Sequence, residues 1–261
     1  FGTPLYSQKL RREVTTFYLD DVNAFEYPVD AVINYNVFAD AKQYPYALAP
    51  DAEKGCNAGK TCLLAGPCYA PVREEFGTCY KGAGAEVKDI FLSLGGSDAF
   101  NLSAKIVTSL RKKLDCNIHV VCGPFNIYKE ELRALAKGES GVYVHENVKE
   151  MWSLMQQCDL AISAAGSTMY ELSVAGLPVV TFSFVENQRK IAEGFDREGA
   201  GISVGHYQPE TEEEFMERLI YCVNTLVNDK KMREELSDRA VALVDGKGAG
   251  RIAKAVIEYK R

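Results

Sequence analysis

The sequence predicts an α/β fold whose main body is a doubly wound parallel sheet. Three observations carry that expectation. From residue 89 onward, short apolar runs alternate with segments of helical length, the order that builds a parallel sheet covered on both faces. Residues 158–188, CDLAISAAGSTMYELSVAGLPVVTFSFVENQ, compress that order into strand, small-residue turn, helix and strand. Residues 89–98, DIFLSLGGSD, repeat the device with an apolar strand and a glycine pair ahead of a helix. Two such turns at strand C-termini of one sheet would line one crevice, the default ligand site of such folds.

Taken in order, residues 3–13 read as a short helix, with Thr3 as N-cap and Pro4 at the first helical position. Residues 14–19 are a β-branched and aromatic strand ending in Asp20-Asp21. Residues 29–34 are a second strand, followed by Tyr35-Asn36, and residues 61–65 a third, closed by Gly66-Pro67. Residues 44–59 are polar, contain Pro and Gly, and read as a loop. Three strands with one helix cannot cover both faces of a parallel sheet. Residues 1–80 therefore read as the remnant of an N-terminal domain, and the glycines of 78–85 mark a linker to a C-terminal domain over 81–261. There the strands are expected at 89–94, 117–122, 142–144, 160–163, 179–184 and 201–204. The helices are expected at 102–114, 129–137, 149–157, 169–175, 189–198, 212–227, 231–244 and 249–259.

Composition narrows the partners. A length of 261 residues suits two modest domains, with 47% hydrophobic and 25% charged residues. A net charge of -6 gives no footprint for nucleic acid. No run reaches membrane-span length, and the opening FGTPLYSQKLRREV is not a signal peptide. Cys56, Cys62 and Cys68 lack a Cys-x-x-Cys pair, so no zinc site is expected. Cys116, Cys122 and Cys158 read as small core residues in a reducing, cytoplasmic compartment. No metal and no cofactor are expected.

The turn Gly166-Ser167-Thr168 puts backbone N–H groups at a helix start, where hydrogen bonding and the dipole both favour an anion. Small side chains let a ligand approach the backbone. Thr168 and Glu171 also fit a capping box, which would make Glu171 purely structural. His119 alternates within a strand and reads as packed. His206 reads as a solvated loop residue, and His145 ends a strand on the ligand edge. Asp20 and Asp21 read either as a solvated turn or as a substrate contact.

The runs LLAGPCYAPVREEF, FLSLGGSD and DLAISAAGSTMYEL, the pair Asn187-Gln188 and the tail DGKGAGRI, in that order, resemble the UDP-sugar hydrolases of PseG/SpsG type from pseudaminic acid biosynthesis. These are relatives of MurG with the two-Rossmann-domain GT-B architecture. The resemblance runs from about Val14 to the C-terminus and implies a GT-B-like fold that binds UDP and a UDP-linked amino sugar. It implies hydrolysis of UDP-2,4-diacetamido-2,4,6-trideoxy-β-L-altropyranose, with a catalytic histidine in a Gly-rich N-terminal loop. That Gly-His motif has no counterpart here, so the resemblance places Phe1 inside the N-terminal domain. It leaves the catalytic residue unassigned, with Asn187 and His145 as the weak candidates, and implies a missing N-terminal half or a partner chain.

By resemblance, Gly95, Gly96 and Ser97 face the diphosphate, and Gly166, Ser167 and Thr168 contact phosphate. Glu171 accepts the ribose hydroxyls, Val148 reads uracil through its backbone, and Asn187 and Gln188 face sugar and phosphates. The glycine pair and the family match together favour Glu171 as a ligand contact over the cap. Two other functions stay open: a MurG-like glycosyltransferase and a non-catalytic nucleotide-sugar-binding module. The sequence shows no apolar membrane-binding patch, which weighs against a lipid acceptor.

Overall fold

The computed structural model describes residues 4–21, 26–45, 47–48, 61–78 and 82–259. Thr3, Cys56, most of the expected loop at 44–59 and the middle of the expected linker lie outside the described residues. The chain divides into two compact units, Phe1–Glu74 with Val244–Arg261, and Glu75–Leu243. No helix among the described residues is long and apolar enough to cross a membrane.

The first unit opens with α1 (Pro4–Glu13), β1 (Phe17–Leu19), β2 (Ala31–Asn34), β3 (Ala47–Leu48) and β4 (Cys62–Ala65). Its strands are all parallel, in the order β1-β2-β4-β3. The two-residue β3 corrects the loop reading of residues 44–59; it pairs with β4 and is too short to show a period. Asp20, at the end of β1, is 1% exposed. It is not a solvated turn residue, because its carboxylate accepts the hydroxyls of Tyr27 at 3.0 Å and Tyr44 at 2.7 Å.

The second unit runs β5 (Asp89–Ser93), α2 (Leu102–Arg111), β6 (Asn117–Cys122), α3 (Lys129–Gly138), β7 (Val142–Glu146) and α4 (Met151–Gln157). It continues with β8 (Leu160–Ala164), α5 (Thr168–Ala175), β9 (Val179–Ser183), α6 (Glu186–Arg197), β10 (Ile202–His206), α7 (Glu212–Asn228) and α8 (Lys230–Leu243). The six strands are parallel, in the order β10-β9-β8-β5-β6-β7. The chain enters at the centre, steps out to β7, crosses back beside β5 and steps out the other way. Every residue of β8 and β9 is buried, as a central parallel strand requires. Ile90, Leu92, Ile118, Val120, Ile162 and Val180 supply one face of the core under α2 and α7. Arg233 of α8, 1% exposed, closes the unit by donating to Leu226 O and Val227 O at the end of α7 and to Gly84 O and Ala85 O.

The closing helix, α9 (Gly248–Glu258), packs within the first unit. A Cβ at Gly248 would stand 2.2 Å from Ala70 O, so only glycine allows this approach. Arg251 donates to Cys68 O at 2.9 Å, and the Tyr259 hydroxyl donates to Asp30 at 3.1 Å. Cys116, Cys122 and Cys158 are buried among apolar neighbours.

Candidate functional site

The site begins with register. Ser93 of β5 stands opposite Ser163 of β8, and the chain leaves these two strands in opposite directions. They flank the switch point where open α/β sheets hold ligands. Gly95–Ser97 and Gly166–Thr168 lie just beyond that pair, side by side. Ala164 pairs with Phe182, so the turn after β9 joins the same edge.

Gly95 holds φ +80, with nothing within 4 Å of where its Cβ would stand, so backbone conformation selects glycine there. Gly95, Gly96 and Ser97 are exposed. The turn is fixed from the β6 side. A Cβ at Gly123 would stand 2.2 Å from Gly95 O, and the Phe125 amide donates to Gly96 O at 2.9 Å. Asp98 is 3% exposed, and its carboxylate accepts the amides of Leu102 at 2.8 Å and Ser103 at 3.0 Å. The start of α2 is therefore filled by the chain's own carboxylate.

The start of α5 differs. Ser167 is the N-cap and makes no side-chain cap hydrogen bond. Among the described residues no acceptor reaches the amides of Ser167 and Thr168. Gly166 has open space where a side chain would project. Thr168 is the first helical residue rather than the cap, which takes Thr168 and Glu171 out of capping-box register. Glu171 stands in the first turn of α5 and is half-buried.

Asn187 and Gln188, expected at a strand end, lie in the first turn of α6, which begins at Glu186. The Glu186 carboxylate suits a helix N-terminus, so the helix starts earlier than the apolar period suggested. Asn187 is exposed, and Gln188 Oε1 accepts the Phe184 amide at 3.2 Å. Val148 is half-buried, just after Asn147, which holds φ +50 beyond β7.

The histidines fall elsewhere. His119 Nε2 lies 2.9 Å from Asp89 Oδ1, and His119 Nδ1 lies 3.1 Å from His145 Nε2. Burial first, and then the His119 charge, hold the His145 pKa below its ordinary value. β7 runs on through Glu146, so His145 is inside the strand rather than at its end. His206 is not a loop residue either. It closes β10, with Nδ1 at 2.9 Å from Ser183 Oγ. β7 and β9 are four strand spacings apart, about 19 Å at ~4.8 Å each. His145 thus stands on the far edge strand from the β9 end that leads into Asn187. Among the described residues no group of His, Cys, Asp or Glu could hold a metal ion.

Sequence reasoning missed Gly123, the anchoring role of Asp98 and the exposed Phe125 and Ile127. A glycine directly after strand β6 was a signal for Gly123. An aspartate four residues before a helix was a signal for Asp98. Phe125 and Ile127, 76% and 80% exposed on the β6–α3 loop, are apolar side chains that the sequence reading did not single out.

Two parallel sheets, the six-stranded one Rossmann-like with its switch point between β5 and β8, define the class: an α/β protein with the GT-B-like fold. MurG of Acinetobacter baumannii superposes with a TM-score of 0.66 at 15% identity, covering 98% of this chain and 69% of that one. In sequence the chain is similar to the PseG/SpsG-type proteins. It is 28% identical over 226 residues to the spore coat polysaccharide biosynthesis protein SpsG of Bacillus subtilis, covering 85% of this chain and 63% of that protein. It is 26% identical over 171 residues to the UDP-2,4-diacetamido-2,4,6-trideoxy-beta-L-altropyranose hydrolase of Campylobacter jejuni, covering 65% and 58%. An uncharacterized protein of Methanocaldococcus jannaschii, MJ1062, is 31% identical over 228 residues, covering 79% of this chain and 45% of that protein. The chain thus spans about half the length of the curated relatives it matches. Residues 94–192 match the family described as "Protein of unknown function (DUF354)".

Proposed function

We propose that this chain binds a UDP-linked amino sugar and serves its hydrolysis to UDP and free sugar in polysaccharide biosynthesis. The observation that carries the reading is the uncapped start of α5 beside the exposed Gly95–Ser97 turn. The Campylobacter relative supports the substrate class, and the Bacillus relative supports a role in polysaccharide biosynthesis. In this reading the amides of Ser167 and Thr168 take the diphosphate beside Gly166, with Gly95, Gly96 and Ser97 opposite. Glu171, one turn into the helix, accepts the ribose hydroxyls. The Val148 backbone reads uracil. Asn187 and Gln188 face the sugar, and the bond from Phe184 to Gln188 Oε1 leaves Nε2 as the donor for a ligand oxygen.

The reaction adds water at the glycosyl phosphate and releases UDP as an anion. Preorganised amides and the helix dipole stabilise that developing charge. A general base must also stand within hydrogen-bond reach of the water. His119 is held between Asp89 and His145, His145 stands on the edge strand β7, four strands from β9, and His206 is bonded to Ser183. The reading therefore assigns binding and charge stabilisation to this chain, with slow release of UDP by the chain alone. Mixing it with UDP-2,4-diacetamido-2,4,6-trideoxy-β-L-altropyranose and following UDP tests this. Turnover at ordinary enzyme rates, about 1–10³ per second, would contradict it and make His206, on the strand next to β9, the first residue to replace. Release that depends on an added sugar acceptor would mark a transferase instead.

A further inference from the structure

We propose that Phe100 sets the sugar preference of this site, favouring the methyl groups of an acetamido or 6-deoxy sugar over a fully hydroxylated one. The inference rests on the reading of the site as a UDP-sugar site. The loop after β5 does not pass directly into α2. Asp98 and Asn101 both hold left-handed backbone, at φ +47 and +53, a conformation that non-glycine residues adopt at a cost. The Asp98 carboxylate anchors the loop on the amides of Leu102 and Ser103. Between these two residues the loop presents Phe100, 36% exposed.

The Phe100 ring stands 5.1 Å from that of Tyr207 and 6.4 Å from that of Phe184, edge-on to the latter at 81°. Phe184 follows β9 and is the residue whose amide is held by Gln188. Val185, the next residue, is 42% exposed. An apolar shelf thus abuts the first turn of α6, where Asn187 stands. The core below is already closed without Phe100, because Phe215 packs edge-on against both Phe182 and Tyr207 at 5.2 Å. The shelf also offers no free hydroxyl. Tyr207 donates its O–H to Glu212 at 2.5 Å, and Lys105 holds the same carboxylate oxygen at 2.6 Å.

A hydroxylated sugar pressed on such a surface would lose water without gaining partners. A methyl group buried there gains about 4-fold in affinity. The test measures, by calorimetry on the full chain, affinities for UDP, UDP-glucose and UDP-2,4-diacetamido-2,4,6-trideoxy-β-L-altropyranose. The unsubstituted chain should favour the methyl-bearing sugar over UDP-glucose by about 10-fold or more. Phe100→Ala should bring that ratio to within about 2-fold of unity. Phe100→Leu, which keeps an apolar side chain over Tyr207, should retain part of the preference and serves if the alanine variant does not fold. A ratio that persists in the substituted chains while UDP still binds overturns the role of Phe100 and leaves the UDP reading standing. Failure of the unsubstituted chain to bind UDP overturns both.

Discussion

Replacing Asp98 with alanine should destabilise the Glu75–Leu243 unit by about 2–4 kcal/mol. The carboxylate is 3% exposed and takes the Leu102 and Ser103 amides at 2.8 and 3.0 Å. Loss of a helix-start acceptor costs about 1–2 kcal/mol. Leaving a buried donor unsatisfied costs about 1–3 kcal/mol. Alanine in left-handed backbone at φ +47 adds about 1 kcal/mol, and because these costs overlap they are not summed in full. The single tryptophan, Trp152 in α4, lies in this unit and reports its urea unfolding by fluorescence. Asp98→Asn, which tolerates the backbone and still offers an oxygen, should recover about half of the loss. A loss below about 0.5 kcal/mol for the alanine variant would refute the assignment of Asp98 as the anchor of the loop.

Glu171→Ala should weaken UDP by about 10- to 100-fold while leaving inorganic phosphate binding unchanged, because the ribose contact is removed and the backbone amides that take phosphate are kept. A variant that melts earlier but keeps UDP affinity would make the residue structural. In the first unit, the hydrogen bond from Arg251 holds the Asp245 carboxyl down from 3.8 to about 2, against the opposing effect of burial. A depressed carboxyl stabilises the fold above its ordinary pKa and loses that contribution as pH falls from 3.8 to about 2. Asp245→Asn should therefore flatten stability over that window in acid unfolding followed by circular dichroism. An unchanged acid profile would show that the pair contributes nothing.

Much of the larger unit was legible because its physics is local. The runs IFLS, IHVVC, LAISA and VVTFS are apolar enough to be buried strands, and glycines after β5 and α5 mark where the chain must turn. What could not be read depends on contacts distant in sequence. The run Glu186-Asn187-Gln188 looks like a polar strand end until the Phe184 amide is seen bonded to Gln188. The helical period of residues 248–258 predicts a helix but not where it packs; the close approach of Gly248 to Ala70 decides that. His206 reads as solvated until a bulge beyond Ser203 brings it opposite Ser183. Phe100 carries no signal at all, because its exposure follows from two left-handed residues that are neither glycine nor a recognised turn pair.

The most direct test of the account is calorimetric binding of UDP, ADP and GDP to the chain. The amides at the start of α5 are indifferent to the base, and the ribose contact through Glu171 is common to all three. Only the backbone edge at Val148 distinguishes them. The account predicts that UDP binds at least 10-fold more tightly than ADP or GDP, about 1.4 kcal/mol. Equal affinities for the three diphosphates would contradict the assignment of a uridine nucleotide to this site.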